Sequence, residues 1–125
     1  MMNKKDHTVV VLGASPKEDR YSNRAIRLLK SNGYTTVPVH PKFETIEDLP
    51  VVHSLSDIRQ KVDTLTLYVG PERLQTMADE IVAFKPGRVI FNPGTESEAL
   101  QSRLREANIP YLQACTLVMI QTNQF

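Results

Sequence analysis

Val9-Val10-Val11-Leu12 is the stretch that most constrains the fold: four consecutive apolar residues, three of them β-branched, closed at once by Gly13-Ala14-Ser15. A strand with one wet face would alternate apolar and polar side chains. The unbroken run instead predicts a strand covered on both faces, as in a parallel sheet. Small residues at its end let another group come close to the backbone. A helical pattern begins at about Tyr21. Strand, small-residue turn and helix predict the opening of a βαβ unit, where amides at a helix N-terminus face an anion.

The remaining chain repeats the alternation. Tyr21–Asn32 carries Ala25, Ile26 and Leu29 on one stripe, and Ser31-Asn32-Gly33 stops it, Gly33 suiting the left-handed position after a helix. Thr35–Val39 predicts a second strand, ending or lying at an edge because Pro38 has no amide hydrogen to donate. Phe43 to Leu55 shows little periodicity beyond a short strand at Val51-Val52. Ser56–Lys61 predicts a short helix capped by Ser54 or Ser56. Thr64–Val69 is the third strand, broken by Gly70-Pro71. Leu74, Met77, Ala78, Ile81 and Val82 predict one helix ending before Pro86-Gly87, and Arg88–Phe91 a fourth strand. Thr95 with Glu98 reads as a capping box for a helix whose buried face is Leu100, Leu104 and Ala107. Ile109–Leu112 predicts a fifth strand, and Cys115–Ile120 either a last strand or a docked helical turn. The expected fold is therefore α/β: a Rossmann-like, doubly wound parallel sheet of about five strands with helices on both faces, in a single domain over residues 1–125.

Several functions are argued against. Fifteen Lys and Arg against 14 Asp and Glu leave a net charge of +1, which gives no field for a nucleic acid. The single cysteine excludes an intramolecular disulfide framework and a cysteine-based zinc site, and His7, His40 and His53 lack metal-ligand spacing. No G-x-S-x-G elbow or other catalytic constellation is present, so no catalytic residue is assigned. No stretch approaches the ~20 apolar residues of a membrane span, and the apolar run behind the N-terminal lysines is too short for a signal peptide. A cytoplasmic protein without a membrane partner is expected.

In an open α/β sheet a ligand sits over the carboxyl ends of the strands. The segments that meet there are Gly13–Asn23, His40–Lys42, Val69–Pro71 and Asn92–Thr95. The first is not the dinucleotide fingerprint, because no glycine follows Gly13 in Ala14-Ser15-Pro16-Lys17-Glu18-Asp19-Arg20. It offers Ser15, Ser22 and Asn23 as polar contacts and Lys17 and Arg20 as cations. The second strand ends in Val39-His40-Pro41-Lys42, without the carboxylate that would bind a ribose diol. A neutral or cationic loop there suits a ribose phosphate, for which NADP and coenzyme A both qualify. Gly94 would let an extended arm pass close to the fourth-strand loop.

The combination of GASPKEDRYSN, VPVHPKFETIEDLPVVHSLSDI, LYVGPERL, NPGTESEAL and IPYLQACTLVMI resembles the small stand-alone CoA-binding proteins related to the N-terminal domain of the succinyl-CoA synthetase α subunit. The resemblance runs from Thr8 to about Ile120. It implies a small-molecule ligand, coenzyme A or an acyl-CoA. Ser15, Pro16, Lys17 and Glu18 with Arg20, Tyr21, Ser22 and Asn23 would form the phosphate-binding turn, after Gly13 and Ala14 at the strand end, which are binding candidates too. His40, Pro41 and Lys42 would lie near the adenosine, and Val69 is a binding candidate from its place at the end of the third strand. Asn92, Pro93 and Gly94 would lie along the pantetheine, with Ala114-Cys115 in the place of the synthetase's Asn-Cys. The synthetase's phosphohistidine and nucleotide-grasping domains have no counterpart in this sequence. The resemblance therefore implies a binding or regulatory module, monomeric or weakly homo-oligomeric, rather than a ligase. The alternative is an NADP-dependent oxidoreductase or a fragment of one.

Overall fold

In the computed structural model, which describes residues 3–125, strand β1 (Thr8–Leu12) is buried along its whole length inside a five-stranded parallel sheet. Its side chains alternate between two cores, as the pleat of a strand requires. Val10 and Leu12 join Leu65, Leu67, Val89 and Phe91 on one face. Val9 and Val11 join Ile26, Leu29 and Ile120 on the other. With both faces dry, no position in the run can be polar.

The chain continues through α1 (Tyr21–Ser31), β2 (Thr35–Val39), a small hairpin of β3 (Thr45–Ile46) and β4 (Leu49–Pro50), and a 3-10 turn at Leu55–Asp57. It then forms β5 (Thr64–Leu67), α2 (Pro71–Thr76), α3 (Ala78–Phe84), β6 (Arg88–Phe91), α4 (Glu98–Glu106), β7 (Tyr111–Gln113) and α5 (Thr116–Gln121). The sheet order is β2-β1-β5-β6-β7. The chain winds outward from β1 to β2, then returns and winds the opposite way from β5 onward. The reversal falls between β1 and β5, and the crevice above their carboxyl ends is the place such a sheet offers a ligand. Helix α1 packs beside α5 on one face, and α3 beside α4 on the other. The expected five-stranded sheet with helices on both faces is the observed one.

Local details differ from the sequence expectations. The helix expected through Leu74 and Val82 is broken at Met77, which ends α2 and begins α3 with φ −101° and ψ 4°. The buried stripe Leu74, Ala78 and Ile81 passes through the break, so periodicity alone does not reveal it. Thr95 is not the cap of α4. Ser97 is, its Oγ accepting from the Leu100 amide at 3.2 Å, while Glu98 turns outward to Arg105 at 2.6 Å. Residues 56–61 do not form a helix beyond the 3-10 turn. The Ser54 and Ser56 hydroxyls bond each other at 2.7 Å instead of capping it. Pro38 lies on edge strand β2, and Val52 bridges to Val39 beyond it, with the Val52 amide donating to the Pro38 carbonyl. The tail adopts the helical alternative, as α5.

Candidate functional site

Gly13 sits at the reversal point with φ +89°. A Cβ there would lie 2.7 Å from the Tyr68 carbonyl oxygen and 2.9 Å from Val69 Cγ2. The close approach that requires glycine is therefore first of all the approach of the strand β5 end to the β1 end. Ala14, buried, donates its amide to the Val39 carbonyl at 3.2 Å and ties in β2. These two residues bring three strand ends into one crevice.

The loop from Ser15 to Arg20 is held from below. Asn23, fully buried, donates from Nδ2 to the Ser15 carbonyl at 2.9 Å and to Glu47 Oε2 at 3.2 Å, and accepts from Arg27 Nε at 2.8 Å. Arg27 donates in turn to the Glu18 carbonyl. Ser22 is buried as well. Asn23 is thus a fold-holding residue whose side chain is already committed. Pro16, Lys17 and Arg20 remain exposed on the loop. Arg20 precedes α1 without a side-chain cap, and the first turn of α1 carries no acid. No acid within that first turn faces the positive end of the helix dipole, Glu18 and Asp19 lying on the loop before it.

Asn92 plays the matching part at the β6 end. Its Nδ2 donates to Thr66 Oγ1 at 2.7 Å and to the Leu67 carbonyl at 2.8 Å, and its Oδ1 accepts from the Thr116 amide at 2.9 Å. One buried side chain joins β5, β6 and α5. Pro93 and Gly94 project as an exposed turn, with the Gly94 amide donating to Glu96 Oε1.

Two cavities open at this end of the sheet. The first, about 280 Å³, gathers Gly13, His40, Pro41 and Val69 from the sequence-predicted set, with His53, Ser54, Arg73 and Met77 added. The second, about 240 Å³, gathers Tyr21, Asn92 and Pro93 with Tyr68, Cys115 and Leu117. Tyr68 and Val69 are consecutive and turn to opposite sides, so the cavities lie on opposite faces of one crevice. Ala14, Ser15, Pro16, Lys17, Arg20, Ser22, Asn23, Lys42 and Gly94 line neither.

The cavities differ in chemistry. His40 Nδ1 accepts from the Lys42 amide at 3.0 Å, which places the proton of a neutral imidazole on Nε2. Burial lowers the His40 pKa below 6.5, and the cationic neighbours Lys42, Arg73 and His53 lower it further. In the second cavity the Tyr68 side chain is mostly buried, its hydroxyl beside the paired Thr66 and Thr116 hydroxyls, and burial pushes its pKa up. Cys115, the only thiol, is half-buried beside it. Among the described residues no group of three or more His, Cys, Asp or Glu is placed to hold a metal ion, and no helix is long and apolar enough to cross a membrane.

Sequence reasoning missed His53, Arg73, Tyr68 and Leu117. The alternation of Tyr68 and Val69 past the strand end was the one signal available for the pair. Arg73 and His53 come from a helix and a loop that meet only in three dimensions.

Comparisons with known proteins bear on the family and the fold. The family model described as CoA binding domain matches residues 7–121. The chain is 29% identical over 103 residues to the ADP-forming acetate–CoA ligase I of Archaeoglobus fulgidus, spanning 81% of this chain and 15% of that protein. It is 27% identical over 74 residues to the uncharacterised protein YneT of Bacillus subtilis, spanning 59% of this chain and 55% of YneT. The chain thus spans about half of one curated relative and about a seventh of the other. A solved structure from Thermus thermophilus superposes with a TM-score of 0.86 at 29% identity, covering 99% of this chain and 100% of that one.

Proposed function

Because the chain belongs to the CoA binding domain family, we propose that it binds coenzyme A or an acyl-CoA across the carboxyl ends of β1 and β5, as a binding module without chemistry of its own. The observation that carries this reading is the pair of cavities with opposite character on the two faces of one crevice. Coenzyme A is chemically two-ended in the same sense. Its nucleotide end carries a ribose phosphate and a pyrophosphate, and its pantetheine arm is narrow, amide-bearing and ends in a thiol. The cavity with His40, His53 and Arg73 suits the nucleotide end, and the cavity with Tyr68, Cys115 and Leu117 suits the arm. The N-terminus of α1, with Arg20 and Lys17 on the loop between Gly13 of the first cavity and Tyr21 of the second, offers donors to the pyrophosphate.

Asn92 and Asn23 act one step removed, by fixing the loops on which ligand-facing groups sit. Melting the protein with CoA, NAD or NADP tests the reading. CoA at a hundred times its dissociation constant should stabilise the fold by about 2.7 kcal/mol. Stabilisation by NADP and not by CoA would replace it with the oxidoreductase alternative.

A further inference from the structure

The cavity on the α2–α3 face holds a charge pattern that the CoA reading by itself does not explain. Arg73, on the first turn of the short helix α2, lines it, and among the described residues its side chain makes no ion pair or hydrogen bond. Three further groups that can carry positive charge lie close by. His40 and His53 line the same cavity, and Lys42 stands two residues beyond the His40 ring it helps orient. The acids in the neighbourhood are Glu80, which lines the cavity from α3, and Glu44, which is engaged by His53 at 3.4 Å. His53 also contacts the Phe43 carbonyl at 3.2 Å, so its ring is held at the wall. The guanidinium of Arg73 and the Nε2–H of His40 are side-chain donors on lining residues with no partner among the described residues.

We propose that Arg73 is the specificity-determining residue for the ribose phosphomonoester of the ligand, with His40 as a neutral second donor. The chain then distinguishes CoA from its 3′-dephosphorylated form through a guanidinium carried on α2. This rests on the CoA reading and adds to it a residue and a discrimination. The chemistry favours a phosphomonoester over a ribose diol. A diol is held by an accepting carboxylate at the end of the second strand, whereas here that place presents donors and a cation. Arginine offers a planar fork of N–H groups that matches two phosphate oxygens at once.

The test is binding of CoA and of 3′-dephospho-CoA, by calorimetry, to the wild-type chain and to Arg73→Ala, Arg73→Lys and a control, Arg59→Ala. Arg73 and Arg59 are both exposed, so the folded state is retained in each variant. Wild type should prefer CoA by roughly ten- to hundredfold, the range a charge-assisted hydrogen bond supplies. Arg73→Ala should remove that preference by weakening CoA while leaving dephospho-CoA within about twofold. Arg73→Lys should keep part of it, and Arg59→Ala all of it. A wild-type chain that binds both ligands equally, or an Arg73→Ala variant that keeps the full preference, overturns the assignment and leaves CoA binding standing. Failure of the wild type to bind either ligand removes the CoA reading and this proposal together.

Discussion

Replacing Gly13 with alanine should destabilise the fold more than the same change at any glycine that merely needs a positive φ. The comparison is with Gly33, which follows α1 with φ +88° and where an added Cβ would have no atom within 4 Å, whereas Gly13 at φ +89° has the Tyr68 carbonyl oxygen at 2.7 Å. The backbone penalty is common to both and amounts to about 1–2 kcal/mol. Gly13→Ala adds an overlap with the backbone of β5's end, which cannot swing aside as a flexible side chain would. Overpacking of that kind costs roughly 1–3 kcal/mol more. The expected totals are about 2–5 kcal/mol for Gly13→Ala and about 1–2 kcal/mol for Gly33→Ala. At this chain length each kcal/mol moves the melting midpoint by about 3 °C, so the two variants should separate by several degrees. Urea unfolding followed by circular dichroism, without ligand, measures both. Equal losses in the two variants would refute the claim that the β1 and β5 ends are pressed together at Gly13.

Three further outcomes follow from the same geometry. Asn92→Ala removes bonds to Thr66, Leu67 and Thr116 at once, and should cost about 2–4 kcal/mol in urea unfolding; a loss below about 1 kcal/mol would show that the β5–β6–α5 junction does not depend on it. His7 is held below its ordinary pKa of 6.5 chiefly by burial, bonded to Thr64 Oγ1 at 2.8 Å. Because the unfolded chain takes up the proton first, its contribution to stability is full above pH 6.5 and is lost as pH falls through the lower folded value. Melting midpoints from pH 7.5 down to 5 should therefore fall, and His7→Gln should flatten the curve by the His7 share while that of His40 remains. Finally, if the arm ends beside Cys115, its thiolate attacking CoA disulfide should give a Cys115–CoA mixed disulfide and release one CoA thiol. Intact mass should rise by one CoA moiety in the wild type and not in Cys115→Ser; an unchanged wild-type mass would place the thiol end elsewhere.

What the sequence could show depended on how local each cause was. Val9–Leu12 and Thr64–Leu67 declare themselves because burial on both faces favours unbroken β-branched and apolar runs, the buried hydroxyls of Thr64 and Thr66 being satisfied by His7 and Arg88 and by Thr116 and Asn92. Gly33 and the strand Thr35–Val39 carry their own punctuation. The β3–β4 hairpin does not, since its turn is Glu47-Asp48 with φ 51° and 63° in place of the usual Asn-Gly. That turn is held from outside, by Lys30 Nζ donating to the Glu47 carbonyl at 2.7 Å and by Asn23. Ser97 displaced Thr95 as a cap because the Thr95 hydroxyl donates to the Asn92 carbonyl, a choice made by the packing of the preceding turn. The site follows the same rule. The loops that frame it stood out by composition. The roles of Asn23 and Asn92 as buried pins, and the convergence of Arg73 and His53 with His40, depend on contacts between distant segments.

The central claim is that this crevice takes coenzyme A, and calorimetric titration of the wild-type chain with CoA and, separately, with NADPH tests it most directly. One CoA per chain with a saturable isotherm, and no saturable heat from NADPH, is the predicted result. An isotherm for NADPH in the absence of one for CoA, or no heat from either, would contradict it.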